Sequence, residues 1–369
     1  MALELADIFR QYGPAYRQKY AERLLPSHRR AMRAIEQCRT SALGGQVFSC
    51  PQCNQTQYSY HSCRNRHCPK CQNDKAQEWL EKQQNFLLPV PYFMLTFTLP
   101  AALRPVARSH QTLFYDLLFQ ASAAATQLLA HDPRFVGGQI GMLGILHTWA
   151  RNLSYHPHLH YLIPAGGLAA DGQTWLPAQK NFLLPVKALS KIFRAKFLHA
   201  LHKSPLANTI PSNVWEQEWV VHCKPVGNGR TAMKYLAPYI FRVAISNRRL
   251  VNLEDDQVTF RYRTSDTGET KLCTLSAEEF IHRFLQHILP KGFVKVRYFG
   301  FFAHSNRQRL PALLQMLIHL YLDDNSTGQD QQDQKPSPAS HLQAFSCPIC
   351  GQPMRLLHSI QPTGRCPPR

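Results

Sequence analysis

Two Cys-x2-Cys pairs near the start of the chain restrict its folding more than any other feature. Cys50 and Cys53 form the first pair, Cys68 and Cys71 form the second, and fourteen residues separate them. Such a pair can present two thiolates to one ion, and two pairs complete a tetrahedral four-cysteine site. The spacing therefore predicts a structural zinc site with these four ligands, in preference to four reduced core cysteines.

Other residues around this pattern leave further interpretations open. Cys38, Cys63, His61 and His67 are either ligands of a second ion or neighbours of the first. The stretch is also basic, which suits contact with phosphate groups. Arg64 and Arg66 are the candidate DNA-binding residues of this stretch.

The compartment follows from the first residues and from the cysteine content. The opening stretch MALELADIFRQYG carries acids where an export signal needs basic residues. The uncharged stretch 86–103 is interrupted by three prolines, which argues against a membrane span. We therefore expect a reducing, cytoplasmic compartment, in which the eleven cysteines are better explained as metal ligands than as disulfides.

The stretch SYHPHLHYLIPAGG, residues 154–167, places histidines at alternate positions. Alternate side chains of a strand share one face, so His158 and His160 are expected to point the same way. Neutral imidazole is a good ligand for divalent ions. A single strand histidine is usually structural, but two at this spacing predict a metal site.

A third histidine lies in the preceding predicted strand. A hairpin centred near 152–154 would bring His147 roughly opposite His158 and His160. Three histidines on adjacent strands form a cap with open coordination positions, which is typical of a catalytic metal. His156 is expected to precede this site, with Pro157 breaking the alternation.

A cupin also uses a His-x-His pair, but it requires a glutamate four to five residues after the second histidine. Pro164 and Ala165 occupy those positions here, which argues against a cupin.

Two tyrosines occur four residues apart in KYLAPYIFRVAISNRR. Tyr235 and Tyr239 would share one face of a helix, and Pro238 between them would kink or begin that helix. Half-buried packing is the usual role of such a pair, but the basic neighbours favour a bound DNA backbone. The candidate DNA-binding residues here are Lys234, Arg242, Arg248 and Arg249.

The charge of the chain favours a polyanionic partner. Lys and Arg number 42 against 23 Asp and Glu, for a formal net charge of +19. Nucleic acid is the expected partner. An anionic membrane is disfavoured because the sequence shows no basic amphipathic helix of the kind that lies on lipid.

The periodicity predicts an α+β fold with a mainly antiparallel sheet, because hairpin-like strands alternate with helices. A capping box of Ser276 and Glu279 marks the start of one helix. The predicted helices are 3–22, 26–38, 105–131, 186–203, a short one over MKYLAPYI, and 276–289. The predicted strands are 92–98, 140–150, 158–164, 215–223, 256–263, 270–274 and 292–302, with a turn at PVGNGR.

Several motifs together resemble one known family. HLH within HPHLHYLIPAGG is similar to the His-hydrophobe-His motif of HUH endonucleases, and Tyr235 with Tyr239 resembles the two-tyrosine motif of rolling-circle insertion-sequence transposases. CRTSALGG…HSCRNRHCPKCQ, LHTWARNLSYHPHLH and FIHRFLQHILPKGFVKVRYFGFFAHSNR also resemble that family, in the same order. The resemblance covers about residue 5 to about residue 320.

This resemblance implies an HUH endonuclease-like core and a specific reaction. His158 and His160, with His147 as third ligand, would hold Mg²⁺ or Mn²⁺, and a tyrosine would attack the scissile phosphate to form a 5′-phosphotyrosine link. The partner would be DNA, single-stranded or locally melted at the ends of the element and at its target. The setting would be the bacterial cytoplasm, with nucleoid association through DNA.

The resulting domain prediction has four parts. Residues 1–88 form a helical zinc-binding, DNA-recognition domain, 89–321 the catalytic domain, 322–341 a polar linker and 342–369 a cysteine-containing tail. The pair Cys347 and Cys350 in the tail is either half of a zinc site or part of a disordered end. His341, His358 or Cys366 would complete such a site.

Three other functions remain open at this point. An HUH replication initiator or relaxase would share the chemistry. A non-catalytic zinc-dependent DNA-binding protein would explain the charge and the cysteines but not the histidines and the tyrosine pair. A decayed, inactive transposase copy is the third alternative, and the intact key residues argue against it.

Overall fold

A mixed α+β architecture is seen in the computed structural model, as the sequence predicts. The structure describes residues 3–71, 87–206, 210, 212–228, 231, 243–264, 267–322 and 345–363. Within these ranges, no helix is both long and apolar enough to cross a membrane.

The first part of the chain, which we call the head (residues 3–71), contains two helices and a β-hairpin. Helix α1 covers Leu5–Lys19 and α2 covers Pro26–Gln37, so both predicted helices are present with slightly shorter bounds. Strands β1 (Gly45–Ser49) and β2 (Thr56–Tyr60) then pair in antiparallel fashion.

A five-stranded antiparallel sheet forms the centre of the fold. Its strands are β3 (Pro91–Thr98), β4 (Met142–Trp149), β5 (Tyr155–Pro164), β8 (Val221–Asn228) and β12 (Val296–Phe299). They pair in the order β12–β4–β5–β3–β8, so β4, β5 and β3 are the inner strands. Over part of their length the inner strands are buried on both faces and are therefore covered on both sides there.

Helices cover one face of this sheet. They are α3 (Arg104–Ser109), α4 (Gln111–Ala130) and α5 (Val186–His202). The predicted helix 105–131 is thus present as two helices that break at His110, whose backbone is not helical. Phe97 of β3 lies under α5, with its ring 4.9 Å from that of Phe193.

The opposite face is divided between an apolar end and a polar end. At the apolar end, Tyr92, Met94 and Leu162 pack against a later helix, which covers Leu310–Leu322 and which we number α7. A small two-stranded sheet, β6 (Gly166–Leu168) and β7 (Trp175–Pro177), contributes to the same core. The polar end carries the predicted histidines.

A second antiparallel sheet packs against the head. It consists of β9 (Leu250–Glu254), β10 (Gln257–Arg263) and β11 (Thr270–Ser276), and it leads directly into α6 (Ala277–Leu285). The serine half of the predicted capping box is present, because the Ser276 side chain accepts the Glu279 amide, whereas the Glu279 carboxylate pairs with Arg283.

A shared core joins α1 of the head to α6. Phe9 of α1 and Phe284 of α6 meet edge to face with ring centroids 5.4 Å apart. Both side chains are fully buried, so the head and the second sheet are held by one continuous apolar cluster.

A third sheet contains strands from both ends of the described chain. Strand β13 (Arg355–Ile360) pairs antiparallel with β1, which places β1 between β13 and β2. The segment 345–363, which we call the C-terminal segment, is therefore built into the head.

One strand prediction is wrong. The stretch 215–223 was expected to be a strand followed by a turn at PVGNGR, but the strand begins at Val221 and runs to Asn228. The preceding Trp219 instead packs on α5, 5.1 Å from the ring of Phe193. Pro225 is tolerated within β8 because β8 is an edge strand of the central sheet.

The glycine at position 144 generates a prediction about stability. A Cβ at Gly144 would lie 2.5 Å from the ring of Tyr161, which is fully buried on the neighbouring strand. We expect Gly144→Ala to lower the free energy of unfolding by about 1–3 kcal/mol through overpacking, as measured by urea denaturation.

The matched control is Gly13→Ala in α1. The new methyl group there meets only the ends of the flexible Glu36, Met32 and Arg17 side chains, and alanine favours a helix. Equal stability of the Gly144→Ala variant and the parent protein would contradict the packing argument.

Candidate functional site

Three histidines converge on the polar end of the central sheet. His147 on β4 lies directly opposite His158 on β5, which confirms the register that the predicted hairpin requires. The ring centroid of His147 lies 5.5 Å from that of His158 and 5.1 Å from that of His160. The centroids of His158 and His160 are 4.8 Å apart. One ring nitrogen of each lies within 4.8 Å of the others. Three imidazoles so placed fit one divalent ion and leave coordination positions open.

Hydrogen bonds orient two of these rings. Nδ1 of His158 lies 2.7 Å from the carbonyl oxygen of His156, and Nδ1 of His160 lies 3.1 Å from Oγ1 of Thr96. A ring that donates its Nδ1–H to a carbonyl carries its lone pair on Nε2, where it can bind a metal. Thr96 was missed by the sequence analysis, although it lies in the correctly predicted strand β3, directly opposite His160.

The expectation for His156 and Pro157 requires a correction. Strand β5 runs continuously from Tyr155, so Pro157 does not end the strand before the site. The pairing of β4 with β5 instead shifts register beyond His147, and Pro157 lies at this irregularity, where proline is tolerated. His156 is within the strand, 5.2 Å from the ring of His158, and burial lowers its pKa to about 4.

The turn between β4 and β5 is held by a histidine from a distant part of the chain. Leu153 has a φ of 66°, a left-handed conformation that leucine rarely adopts, and its side chain is fully buried. Nε2 of His287 lies 3.1 Å from the Leu153 carbonyl oxygen, and its Nδ1 lies 3.3 Å from Oγ1 of Thr148. Burial lowers the pKa of His287 to about 4, so this ring is neutral at physiological pH, donating from Nε2 and accepting at Nδ1.

Sequence reasoning did not single out His287 as part of the site. It lies 134 positions from Leu153, and no spacing rule connects the end of a helix to a distant turn. The only available signal was its place within the stretch FIHRFLQHILPKG, which carries part of the family resemblance.

The two predicted tyrosines lie outside the described residues, as do Lys234 and Arg242. The structure describes the chain up to β8, then Thr231, and again from residue 243. Ala244 and Ile245 are buried in the core that also contains Leu153 of the histidine hairpin.

Arginines surround a groove beside this hairpin, which we call the arginine groove. Its cavity has a volume of about 590 Å³. Arg151 of the hairpin turn donates to the backbone carbonyls of Arg263 and Thr264, and Arg249 donates to those of Arg261 and Arg151. Arg249 was predicted to bind DNA, and Arg248 beside it is exposed. The groove is lined by Arg151, Arg249, Arg261, Tyr262, Arg263, Thr264, Gly268 and Thr270.

The two arginines predicted in the head have different surroundings. Arg64 is exposed and lines a cleft of about 990 Å³ together with Arg30, Arg39 and the exposed ring of Tyr58. Arg66 is half-buried, and its guanidinium donates to the carbonyls of Pro290 and Phe293 at 2.9 and 2.6 Å. This position gives Arg66 a role in holding the head to the rest of the chain.

The structure corrects the expected grouping of cysteines. Cys50 and Cys53 do not lie with Cys68 and Cys71. The second pair lies with Cys38 and Cys63, and the first pair lies with Cys347 and Cys350. In the cluster of Cys38, Cys63, Cys68 and Cys71, the Sγ atoms of Cys38 and Cys63 are 3.5 and 3.6 Å from that of Cys71.

The β1–β2 hairpin is the physical reason for this grouping. Cys50 and Cys53 lie at its closed end, whereas Cys38 precedes β1 and Cys63 follows β2 at its open end. Five strand residues at about 3.4 Å each separate the two ends by about 17 Å. One ion cannot span that distance, so the head contains two cysteine clusters.

His67 does not belong to either of the two cysteine clusters. Its Nε2 accepts a hydrogen bond from the Leu289 amide at 3.4 Å, and burial lowers its pKa well below the usual value. His61 is exposed at the head cleft. His358 lies on β13 opposite Val47, while His341 and Cys366 lie outside the described residues.

Comparison with known protein families identifies two regions of this chain. Residues 141–309 match the family Y2_Tnp, described as "Putative transposase", and residues 8–99 match a "Transposase zinc-binding domain" of the IS91 type. The first match covers the histidine hairpin and the arginine groove. The second covers most of the head, where the cluster of Cys38, Cys63, Cys68 and Cys71 fits zinc.

Two similar proteins extend over most of the chain, whereas no solved structure matches it. The "Putative transposase y4qJ" of Sinorhizobium fredii is 39% identical over 99% of this chain and 97% of its own length. The "Transposase for insertion sequence element IS801" of Pseudomonas savastanoi pv. phaseolicola is 31% identical over 72% of this chain and 68% of its own. A transposase acts on DNA, and the positive charge of the chain is consistent with such a partner. The chain belongs to the IS91 family of rolling-circle transposases and is a DNA-processing enzyme with a zinc-binding domain.

Proposed function

We propose that this transposase nicks and rejoins single-stranded DNA at the ends of its element by tyrosine attack on a metal-bound phosphate. The observation that carries the proposal is the convergence of His147, His158 and His160 on adjacent strands, with a ligand nitrogen of each within 4.8 Å of the others. A three-histidine site of this kind is suited to catalysis, because a structural site closes all of its positions with protein ligands.

His147, His158 and His160 would hold the divalent ion. Such an ion would supply Lewis-acid chemistry at the scissile phosphate and would neutralise the charge that develops there. Mg²⁺ and Mn²⁺ are the candidate ions. Nitrogen ligands are softer than the oxygen ligands that Mg²⁺ prefers, so Mn²⁺ is expected to be the better activator in vitro. Thr96 and the His156 carbonyl keep the rings of His160 and His158 in the orientation that exposes Nε2.

Tyr235 and Tyr239 are the proposed nucleophiles. The hydroxyl oxygen of one tyrosine forms a bond to phosphorus as the bond to the 3′ oxygen breaks. The tyrosine proton passes to solvent, and the departing 3′ oxygen takes up a proton to become a free 3′-OH. The phosphodiester energy is kept in the 5′-phosphotyrosine link, so a 3′-OH can later reverse the step without ATP.

A second tyrosine has a specific use in this scheme. While one tyrosine remains linked to the first strand, the other can cleave a second strand at the target. A metal-activated water would give a nuclease instead, and it would leave both tyrosines without a role.

The arginine groove is the proposed path of the DNA backbone beside the metal. Arg151 belongs to the turn of the histidine hairpin itself, and Arg261 and Arg263 are exposed on the same face of β10. Guanidinium groups make bidentate contacts with phosphates, and they bind the backbones of single strands as well as those of duplexes. Arg248 and Arg249, with Lys234 and Arg242 outside the described residues, extend this basic surface.

In this proposal, different parts of the chain recognise the DNA and carry out the reaction. Residues 1–88 recognise the element ends through the head cleft with its Arg64, and 89–321 carry out the chemistry. Residues 322–341 are the polar linker, and 342–369 form the cysteine-containing tail. The cleft combines basic and aromatic side chains, with the rings of Tyr58 and Tyr60 stacked 6.0 Å apart.

Covalent capture of DNA tests the nucleophile. With labelled single-stranded oligonucleotides bearing the element ends and Mn²⁺, we expect an adduct that survives denaturation and is abolished in the Tyr235→Phe/Tyr239→Phe double variant. The control is Tyr12→Phe in α1, which should retain the adduct. Cleavage without an adduct, unchanged in the double variant, would indicate a water nucleophile.

The metal dependence of cleavage tests the histidine site. His158→Ala and His160→Ala should lower the cleavage rate at least about 100-fold, because each removes a ligand. Thr96→Val should raise the Mn²⁺ concentration needed for half-maximal rate about 10-fold, because it removes only an orienting contact. His131→Ala, at an exposed helix end, is the control. Unchanged metal titrations of all three variants would refute the assignment.

The salt dependence of DNA binding tests the arginine groove. Arg261→Ala and Arg263→Ala should each weaken single-strand binding and reduce the slope of log K against log salt by about 0.7. Arg134→Ala is the control, because its guanidinium is paired with Asp132 in a turn elsewhere. An unchanged slope in both groove variants would place the DNA on another surface.

A further inference from the structure

The two Cys-x2-Cys turns that lie against each other have the same local structure. Their sequences are CPQCNQ at 50–55 and CPICGQ at 347–352. In the first, the Cys50 amide donates to the Gln55 carbonyl at 2.9 Å and the Asn54 amide donates to the Cys50 carbonyl at 3.0 Å.

The second turn repeats this pattern residue for residue. The Cys347 amide donates to the Gln352 carbonyl at 2.8 Å, and the Gly351 amide donates to the Cys347 carbonyl at 2.9 Å. The residue after each second cysteine is left-handed, with φ of 55° at Asn54 and 73° at Gly351. Asparagine and glycine are the residues that tolerate this conformation best.

Backbone amides also point at the first sulfur of each turn. The amides of Cys53 and Gln52 are directed at Sγ of Cys50, and those of Cys350 and Ile349 are directed at Sγ of Cys347. Amides in this position favour thiolates, which are the form that binds zinc. Two separated stretches of chain thus form matching metal-binding turns.

The four sulfur atoms have the spacing of a tetrahedral zinc site. Sγ of Cys50 lies 3.4 Å from that of Cys350, and Sγ of Cys53 lies 3.4 Å from Cys347 and 3.7 Å from Cys350. Thiolates around zinc at about 2.3 Å are separated by about 3.8 Å. The observed separations are far longer than a disulfide bond of about 2.05 Å.

Among the described residues, little besides these turns and one strand pairing holds the C-terminal segment to the head. The local core consists of Cys50, Cys347 and Met354, with Phe48 stacked on Phe345 at 4.6 Å. Strand β13 adds backbone hydrogen bonds to β1, but most of its side chains are exposed. Small units with a core of this size commonly gain stability from an additional cross-link, such as a structural metal ion.

We propose that Cys50, Cys53, Cys347 and Cys350 bind a second zinc ion that fastens the C-terminal segment to the head. Zinc supplies such a cross-link, because metal binding to a site formed only on folding contributes its free energy to the fold. Residues 8–99, which match the zinc-binding domain, contain only two of these four ligands. The site is therefore separate from the cluster of Cys38, Cys63, Cys68 and Cys71.

Zinc content distinguishes one site from two. The full chain, purified and analysed for metal by mass spectrometry, should contain two zinc ions per molecule. Cys347→Ser/Cys350→Ser and Cys63→Ser/Cys68→Ser should each contain one. The control is Cys223→Ser/Cys273→Ser, which changes two cysteines outside both clusters and should retain two.

Hydrogen exchange provides the second measurement. In Cys347→Ser/Cys350→Ser, amides of β13 should lose protection at least about 10-fold, whereas those of the central strands β3 and β5 should keep theirs. This pattern separates release of the segment from general unfolding. Two zinc ions in that variant, or a single ion in both parent and variant, would overturn the proposal. Unchanged protection of β13 in the variant would also overturn it.

Discussion

The pairing of β4 with β5 is the constraint on which the arrangement of the three histidines depends. Because opposite residues of an antiparallel pair share a face, this one register brings His147, His158 and His160 together. A slip by one residue would turn His158 and His160 into the apolar layer under α4 and α5. The register is secured by the buried residues on the other face and by the turn, where Leu153 keeps an unfavourable left-handed backbone. The hydrogen bond from His287 and the burial of the Leu153 side chain together hold the turn in this conformation.

A second constraint of the same kind organises the head. The β1–β2 hairpin has an open and a closed end, and each end is associated with its own cysteine cluster. The cluster at the open end brings the residue after α2 together with the residues that follow the hairpin. The cluster at the closed end brings the hairpin together with the C-terminal segment. Gly44 makes the close approach of β13 possible. It has a φ of 70°, and a Cβ there would lie 2.5 Å from the Ile360 carbonyl oxygen.

Local patterns predicted most elements of this fold, but long-range partnerships were predicted only where a short turn joins the partners. Four of the five strands of the central sheet were predicted at about their observed positions, and β8 was placed too early in the sequence. The His147 register followed because only a few residues separate β4 from β5. Cys50 was assigned to the wrong partners because Cys68 is nearer in sequence than Cys347, and sequence distance carries no information once a hairpin intervenes. Arg66 was predicted to bind DNA from its basic surroundings in the sequence. Its guanidinium donates to the carbonyls of Pro290 and Phe293, which lie more than 220 residues away in the chain.

The two kinds of metal site place opposite demands on the chain, and their ligands differ accordingly. A fold-stabilising site must bind its ion irreversibly on the timescale of function. Four thiolates on rigid turns achieve this for zinc and leave no position for a substrate. A site that binds a phosphate oxygen must leave positions open, and three neutral imidazoles do so without adding negative charge near the DNA. Thiolates in that place would repel the phosphate and close the ion to it. If both kinds of site bind their ions as proposed, the separation of the cysteine clusters from the open histidine cluster on the central sheet lets one chain use two metals without exchanging their roles.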